Sequence, residues 1–317
     1  MKVSLVVTVL NEEKEIERFL DSVVGQSLKP DEVIVVDGGS TDWTLKKLIR
    51  KDLNLRVLVE AGANRSQGRN RGIELAKNQI IAVTDCGCVL DKNWLWEITR
   101  PFEDEKVAVV AGYYLPLAKN VFQKCVAPYF CVMPKEIKER KRKDNFEFLP
   151  SSRSFAFRKS VWQKVGGYPE TMNFCEDLAF DQMIKKAGFK FYFAPKAIVY
   201  WPQRNNLKSV FRQFFNYATG DGQVFFSPYQ THTLKISLVY ARYFLALVLV
   251  LLALKFAPLW GLLAVGFLAY IFWAVAKNYR HVNNLKALFW LPVLQFTSDF
   301  GVMLGTIKGI LQTGGLG

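Results

Sequence analysis

Two short acidic loops near the start of the chain each follow an apolar segment of strand length. Lys2–Val9 runs into Leu10-Asn11-Glu12-Glu13, and Glu32–Val36 runs into Asp37-Gly38-Gly39-Ser40-Thr41-Asp42. A carboxylate at such a position can accept a hydrogen bond from an N–H group of a pyrimidine or guanine base, and the glycines let the backbone approach a ligand closely. These loops predict a nucleotide site. The alternative interpretation is a capped helix after a core strand.

The elements that position these loops are read from hydrophobic spacing. A near-continuous apolar run suits a parallel strand that is buried on both faces, and Ile16–Val24, between the two runs, has helical spacing. The pattern predicts a βαβ unit, in which ligands bind at the carboxyl ends of the strands. The chain has neither a P-loop pattern nor G-x-G-x-x-G at these loops, which argues against an ATPase or a dinucleotide enzyme.

A third acidic strand end lies further along the chain. Asp85 follows the apolar strand Gln79–Thr84, and Arg65, Arg69 and Asn70 lie where a helix begins. Helix N-termini and guanidinium groups bind diphosphates, and carboxylates bind hard divalent cations. Asp85 is therefore predicted to hold Mg²⁺ or Mn²⁺ against a diphosphate.

The order of these motifs resembles a known family. The run VVTVLNEEKEIERFLDSVVGQSLKPDEVIVVDGGSTDWT, followed by GRNRGIELAKNQIIAVTDCGCVLDKNWL, resembles family-two glycosyltransferases, and the similarity extends over roughly Lys2–Thr219. The resemblance implies an α/β protein with the GT-A fold, a Rossmann-like mixed sheet, and an inverting transfer from a nucleotide-diphosphate sugar. It implies a donor site at these loops, made of Val9, Asn11, Glu12, Asp37, Arg65, Arg69, Asn70 and Asp85.

The chain departs from the family at the D-x-D motif that ends the fourth strand. Gly87 occupies the third position, so only Asp85 of the usual two carboxylates is present. The cation then relies on Asp85, diphosphate and water, or on another ligand. Asp91 is interpreted as the cap of a helix that starts near Asn93, and His232 is a weaker candidate ligand.

The segment Phe174-Cys175-Glu176-Asp177 resembles the E-D motif of the family, whose Asp takes the proton from the acceptor hydroxyl. Displacement with inversion requires one base that faces the anomeric carbon. Asp177 is therefore predicted to be the base, with Glu176 beside it in the acceptor site. Alternatively, both carboxylates merely complement the positive end of the next helix.

Two further segments are predicted on the acceptor side. Ser152 and Arg153 lie in a strand and loop that match the acceptor side of the family, and Leu207–Gly220 is amphipathic, like a helix at a membrane interface. Processive relatives carry Q-x-x-R-W there, whereas this chain has Gln213-Phe-Phe-Asn216-Tyr217. Transfer of a single sugar is therefore expected.

The C-terminal part of the chain is strongly apolar. Leu238–Ala257 and Leu259–Ala276 are each about 20 residues long and apolar on every face, as membrane-spanning helices are. Leu285–Leu304 is a predicted third span, although it carries polar residues. These runs predict a transferase domain over 1–230 and a membrane region over 238–310 with two to three spanning helices. A buried helical hairpin is the alternative.

Charge predicts the orientation and the partners. The loop Lys277–Lys286 is basic, which places it and the catalytic domain on the cytoplasmic side of a multi-pass cell-membrane protein without a cleavable signal peptide. The net charge of +14 suits anionic lipid or phosphorylated ligands, and no recognition motif indicates nucleic acid. The basic run Lys135–Lys143 is either a solvated loop or a lipid-facing one.

The five cysteines predict reduced thiols, since their number is odd and the domain faces the cytoplasm. Cys86 and Cys88 lack a second pair at zinc spacing and are interpreted as packing residues.

Together these features predict a membrane-anchored glycosyltransferase that moves one sugar to a lipid-linked acceptor, either a polyprenyl phosphate or an oligosaccharide built on one. Transfer to a soluble or polysaccharide acceptor, and a non-catalytic membrane scaffold, are the alternatives. A nucleotidyltransferase would need a glycine-rich, arginine-containing loop after the first strand, where this chain has Asn11-Glu12-Glu13.

Overall fold

The computed structural model describes residues 1–49, 52–140, 147–172, 174–227 and 232–313 of the 317-residue chain. The chain forms two compact units. The first is Met1–Leu117 with Pro134–Pro202, and the second is Ala118–Met133 with Gln203–Gly317. The domain boundary predicted near residue 230 falls outside the described residues.

The first unit contains an eight-stranded mixed sheet with the strand order β3-β2-β1-β4-β7-β6-β8-β5. Its strands are β1 (Val3–Val9), β2 (Glu32–Asp37), β3 (Leu55–Val59), β4 (Ile80–Asp85), β5 (Val89–Leu90), β6 (Val109–Leu117), β7 (Phe155–Arg158) and β8 (Phe191–Pro202). The first four are parallel, and β7 pairs antiparallel with β4. The structure confirms the predicted mixed sheet and its opening βαβ unit.

Twelve α-helices are described in the two units. They are α1 (Ile16–Val24), α2 (Thr44–Lys47), α3 (Arg65–Leu75), α4 (Trp94–Thr99), α5 (Val121–Phe130), α6 (Pro134–Arg140), α7 (Lys159–Val165), α8 (Glu176–Lys186), α9 (Leu207–Gln223), α10 (Thr233–Ala253), α11 (Leu259–Val282) and α12 (Ala287–Thr313). Of the basic run Lys135–Lys143, the last three residues fall outside the described residues. The role of that run stays a prediction.

The strand register brings the acidic strand ends to one level of the sheet. Val9 of β1 pairs with Asp37 of β2, and Thr8 pairs with Asp85 of β4. Helix α3 packs closely over these strands because of its glycines: a Cβ atom at Gly68 would lie 2.9 Å from the Cγ2 of Thr8. The absent side chain therefore lets α3 begin beside the carboxyl ends of β1 and β4.

Helix α8 contributes to the core of the first unit and also buries a carboxyl group there. Phe180 and Ile184 pack against Phe155 and Phe157 of the sheet. Asp181 lies between them in sequence and is 1% exposed, and its Oδ2 is buried without a hydrogen-bond partner in the part of the chain that the structure describes. Burial raises the pKa of Asp181 well above its usual value, and nearby carboxylates add to this effect.

In the second unit, α9 packs along α12 at backbone contact. Gly301, Gly305 and Gly309 recur at every fourth position of α12, on one face. A side chain at Gly305 would overlap the carbonyl oxygen of Phe215, and one at Gly309 would overlap that of Thr219. The glycine face of α12 is therefore covered by α9.

A buried polar cluster joins the three long helices of the second unit. Asp299 of α12 is 1% exposed and accepts hydrogen bonds from the hydroxyls of Tyr243 and Tyr270 and from the Nε2 of Gln295. The Nη2 of Arg242 lies 2.9 Å from its Oδ1. Since charges buried between helices are costly unless they are paired, this cluster fixes how α10, α11 and α12 pack together.

Among the residues that the structure describes, three helices are long and apolar enough to cross a membrane: Thr233–Ala253, Leu259–Val282 and Ala287–Gln312. Their length and composition fit membrane association. They correspond to the three predicted apolar runs with shifted ends. The first ends at Ala253, ahead of Pro258, and begins earlier than predicted, at Thr233.

We expect Asp181→Asn to change the pH dependence of stability. Because the pKa of Asp181 is raised in the folded state, the wild-type protein must take up a proton on folding once the pH exceeds the unfolded pKa of about 3.9. The stability of the variant relative to wild type should grow by about 1.4 kcal/mol per pH unit above that value, until the folded pKa is reached. Thermal unfolding from pH 4 to 8 measures this. A difference in Tm that does not change with pH would contradict the prediction.

Candidate active site

The loops after β1 and β2 hold each other through hydrogen bonds. Asn11 adopts the left-handed conformation (φ 55°), and its Oδ1 accepts from the backbone N–H of Thr41 at 2.9 Å. Asp37 is fully buried, and its Oδ1 accepts from the backbone N–H groups of Gly39 and Ser40. Its Oδ2 has no hydrogen-bond partner among the described residues. That oxygen is a buried acceptor, and the neighbouring residues Val36 and Gly38 line a pocket at these loops.

A pocket of about 290 Å³ opens at these loops. Its size is close to the lower end, about 300 Å³, of the range for small-molecule sites. It is lined by Thr8, Val9, Leu10, Glu12, Val36, Gly38, Ala63, Asn64, Arg65, Gly68 and Phe174. The structure thus brings Val9, Glu12 and Arg65 of the predicted donor site together in one pocket.

Arg69 links two of the predicted carboxylates. Its side chain is 2% exposed; Nη2 donates to the Oδ1 of Asp85 at 2.8 Å, and Nη1 donates to the Oε1 of Glu176 at 2.5 Å. Burial alone would lower the pKa of Arg69, but Glu176 and Asp85 raise it above its usual value. Arg69 therefore stays charged and joins α3 to the end of β4 and the start of α8.

The start of α8 presents the predicted base. Cys175 precedes the helix in a left-handed conformation (φ 57°), and Asp177 lies in the first turn. The Oγ of Ser151 donates to the Oδ2 of Asp177 at 3.1 Å and accepts from the Nη1 of Arg153 at 2.7 Å. Arg153 in turn places its Nε 3.8 Å from the Oδ2 of Asp85. Asp85 and Asp177 are thus connected through Arg153 and Ser151.

The surroundings of Asp85 and Glu176 shift the pKa values of these two carboxylates in opposite directions. Burial would raise the pKa of Asp85, but Arg69, Arg153 and Arg65 together hold it below its usual value. For Glu176, burial prevails over the attraction of Arg69, and its pKa is raised. Asp85 is therefore the firmly ionised member of the cluster.

Asp85 offers one oxygen to a cation. No cluster of three or more His, Cys, Asp or Glu side chains suited to a metal ion occurs among the described residues. The Oδ1 of Asp85 is taken by Arg69, whereas its Oδ2 accepts no hydrogen bond from that part of the chain. One carboxylate oxygen fits a cation whose remaining ligands are water and substrate phosphate. Cys86 and Cys88 are buried, as expected of packing residues.

Asn70 and Ser152 hold a nearby segment in place. The amide of Asn70 donates to Tyr168 O and Glu170 Oε1, and its oxygen accepts from Tyr168 N and Trp162 Nε1. All four of its hydrogen-bonding positions are thereby occupied. Ser152 is buried, with its Oγ 3.2 Å from the hydroxyl of Tyr168. The predicted ligand roles of Asn70 and Ser152 stay predictions.

The remaining predicted candidates make contacts within their own units. Gln213, Asn216 and Tyr217 lie on α9 in the second unit, where Gln213 Oε1 accepts from Arg204 Nε, and their acceptor roles stay predictions. In the same unit, the Nδ1 of His232 lies 3.1 Å from the Oδ1 of Asp221. Asp91 Oδ1 accepts from Asn93 N just ahead of α4, but the N-cap of that helix is Asn93, so the prediction that Asp91 caps it is wrong.

The structure adds site residues that the sequence did not indicate. Ser151 joins Arg153 to Asp177, and the ring of Trp201 has its centroid 3.9 Å from the Cζ of Arg153. Trp201 lies near the end of β8, about fifty positions after Arg153, and no local motif marks it. Ser151 stands beside Ser152 without a distinguishing pattern.

Sequence comparisons identify the family to which the chain is similar. Residues 4–165 match the family described as glycosyl transferase family 2. An O-antigen chain rhamnosyltransferase of Salmonella typhimurium is 26% identical over 225 residues, which cover 68% of this chain and 71% of that protein. A glycosyltransferase of Haloferax volcanii is 27% identical over 232 residues, covering 70% of this chain and 73% of the relative.

Solved structures share the fold. A mannosyltransferase of Pyrobaculum calidifontis in complex with GDP-Man and Mn²⁺ aligns with a TM-score of 0.66 at 18% identity, covering 98% of this chain and 87% of its own. TarS of S. aureus in complex with UDP-GlcNAc aligns with a TM-score of 0.54 at 18% identity, over 99% and 92% of the two chains. With a family match over half its length and a mixed sheet of the GT-A type, the chain belongs to glycosyltransferase family 2 and is a glycosyltransferase.

Proposed function

We propose that this protein is a membrane-bound inverting glycosyltransferase that transfers one sugar from a nucleotide-diphosphate donor to a lipid-linked acceptor. The observation that carries the proposal is the ion-pair chain Asp85–Arg69–Glu176, which joins the strand-end carboxylate to the residue beside Asp177. A donor diphosphate beside Asp85 and an acceptor hydroxyl beside Asp177 would then meet in one cluster. Two structural neighbours were solved in complex with GDP-Man and UDP-GlcNAc, which supports a nucleotide-diphosphate sugar as donor.

In the proposed reaction, Asp177 is the general base. Its carboxylate takes the proton of the acceptor hydroxyl while the hydroxyl oxygen attacks the anomeric carbon, and the bond from that carbon to the diphosphate oxygen breaks. Ser151 orients Asp177 by donating to its Oδ2. Glu176 is held by Arg69 and lies next to the base, on the acceptor side.

The donor is held by the strand-end residues. The unpartnered Oδ2 of Asp37 would accept from the base. Val9 and Glu12, which line the pocket, would surround the nucleoside together with Asn11, and Arg65 would reach the diphosphate. Asp85 would hold Mg²⁺ or Mn²⁺ through its Oδ2, and this cation would neutralise charge on the departing diphosphate. The Mn²⁺ in the complex of the Pyrobaculum mannosyltransferase supports this assignment.

The proposed acceptor is a polyprenyl phosphate or an oligosaccharide built on one. Three helices long and apolar enough to span a bilayer would keep the enzyme where such acceptors diffuse. The basic segment Lys277–Lys286, which spans the end of α11 and the residues after it, favours a cytoplasmic catalytic domain. The similarity to an O-antigen chain rhamnosyltransferase supports a glycan acceptor. A soluble acceptor would leave these helices without a catalytic purpose.

Asp177→Asn should lower sugar transfer by about 10²–10⁴-fold, since the amide keeps the size of the side chain but cannot accept the proton. Donor affinity should be retained, because the donor contacts precede α8. Transfer rates and donor binding are compared for this variant and for Asp21→Asn, which makes the same change at an exposed position of α1. Unchanged transfer by Asp177→Asn would assign the base elsewhere.

Gly87→Asp should lower the Mn²⁺ concentration that half-saturates donor binding. A Cβ atom at Gly87 has no neighbour within 4 Å, so the side chain fits, and its carboxylate adds a second hard oxygen ligand two residues from Asp85. Gly87→Asn controls for size without charge. Equal Mn²⁺ requirements for the Asp variant and wild type would argue against a cation at Asp85.

Reconstitution tests the lipid acceptor. With the full-length protein in vesicles that contain bacterial lipid extract, labelled sugar from the donor should partition into the organic phase, because the acceptor carries an apolar chain. The parallel assay supplies water-soluble saccharides instead. Label that enters only aqueous products would reject the lipid acceptor while leaving the transferase activity intact.

A further inference from the structure

Arg153 has an unusually fixed position for an arginine near a strand end. Its side chain is 15% exposed, and its Cζ lies 3.9 Å from the ring centroid of Trp201 and 5.5 Å from that of Tyr114. A guanidinium that stacks on aromatic rings is weakly hydrated and oriented in advance, so it loses little freedom when it binds an anion. Arg153 therefore has the properties of a preorganised anion-binding group.

The group that Arg153 faces is the carboxylate predicted to meet the diphosphate. Its Nε lies 3.8 Å from the Oδ2 of Asp85, while Arg69 binds the other oxygen of Asp85 at 2.8 Å. Two guanidinium groups, those of Arg69 and Arg153, therefore lie beside the single carboxylate of Asp85. Arg69 is also paired with Glu176, whereas the contact of Arg153 with Asp85 is the longer one, so the guanidinium of Arg153 is the one placed to bind a further anion.

We propose that Arg153 binds the diphosphate of the donor, and that it shares with a cation at Asp85 the neutralisation of the departing group. This inference rests on the proposed function. The sequence placed Arg153 on the acceptor side, but its contacts with Asp85 favour the donor side. The arrangement also suits Gly87, because a guanidinium supplies positive charge to the diphosphate without needing the second carboxylate of D-x-D.

Arg153 also has a connection to the proposed base. Ser151 accepts from its Nη1 and donates to Asp177 Oδ2 through the same hydroxyl oxygen. A diphosphate bound by Arg153 would therefore be linked to Asp177 through Arg153 and Ser151. Loss of Arg153 should lower kcat as well as donor affinity.

The test compares each nucleoside diphosphate with its parent nucleoside. Full-length protein is titrated with uridine, guanosine and thymidine and with their diphosphates, in Mn²⁺ and in chelator. Arg153→Gln should weaken diphosphate binding by about 10–100-fold, the effect of a lost hydrogen bond to a charged group, and leave nucleoside affinity unchanged. The diphosphate affinity of Arg153→Lys should lie between those of wild type and Arg153→Gln, because lysine keeps the positive charge but not the planar guanidinium that stacks on Trp201. Arg71→Gln, at an exposed position of α3, should change neither affinity.

Unchanged diphosphate affinity in Arg153→Gln would overturn the inference, and so would an equal loss of nucleoside affinity, since that indicates a structural role. If Arg153→Gln does not fold, Arg153→Lys is the deciding variant. Wild-type diphosphate affinity in Arg153→Lys would reject a contact between the Arg153 guanidinium and the diphosphate. Sugar transfer by the wild-type protein is measured separately. If transfer is absent but diphosphate binding depends on Arg153, only the proposed function fails. If transfer is present but binding is independent of Arg153, only this inference fails.

Discussion

The buried ion pairs of Arg69 are the interaction on which the site depends. Arg69 is almost fully buried, so its charge requires both Asp85 and Glu176 as partners, and removal of one partner of such a pair typically costs about 3–5 kcal/mol. Because these partners lie on β4 and α8, the pairing holds together segments that are about a hundred residues apart. The approach of α3 to β1, which Gly68 permits, brings Arg69 within reach of both carboxylates. Electrostatics and close backbone packing therefore fix the same geometry.

The sequence predicted the parts of this site that depend on local pattern. Apolar runs that end in Asp37 and Asp85 predicted parallel strands with a site at their carboxyl ends. The strand register confirms the parallel strands and places their acidic ends within one residue of each other along β1. Contacts made through pairings distant in sequence were not predictable in this way. The stacking of Arg153 on Trp201 depends on the alignment of β8 in the sheet, which no motif in either segment encodes. Asn70 shows the same limit, because its amide is occupied by a loop about a hundred residues later.

The second unit is held together by different interactions from the first. Its outward faces are apolar, whereas its interior carries the Asp299 cluster and the backbone contact of α9 with α12. In a bilayer there is no hydrophobic gain from bringing helices together, so small residues and paired polar groups are what hold them. The sequence predicted the apolar helices from length and composition. The four-residue glycine spacing and the partners of Asp299 depend on packing between helices, which hydrophobicity alone does not predict.

The central claim is that the cluster organised by Arg69 holds the diphosphate and its cation at the carboxyl ends of β1, β2 and β4. The most direct measurement is an anomalous difference map, recorded at the manganese edge, from crystals of the full-length protein grown with Mn²⁺ and a nucleoside diphosphate. We expect one manganese peak beside the Oδ2 of Asp85, with the diphosphate in contact with the manganese and the base near Asp37. A nucleotide bound away from the carboxyl ends of β1, β2 and β4, or manganese bound without Asp85 as a ligand, would contradict this claim.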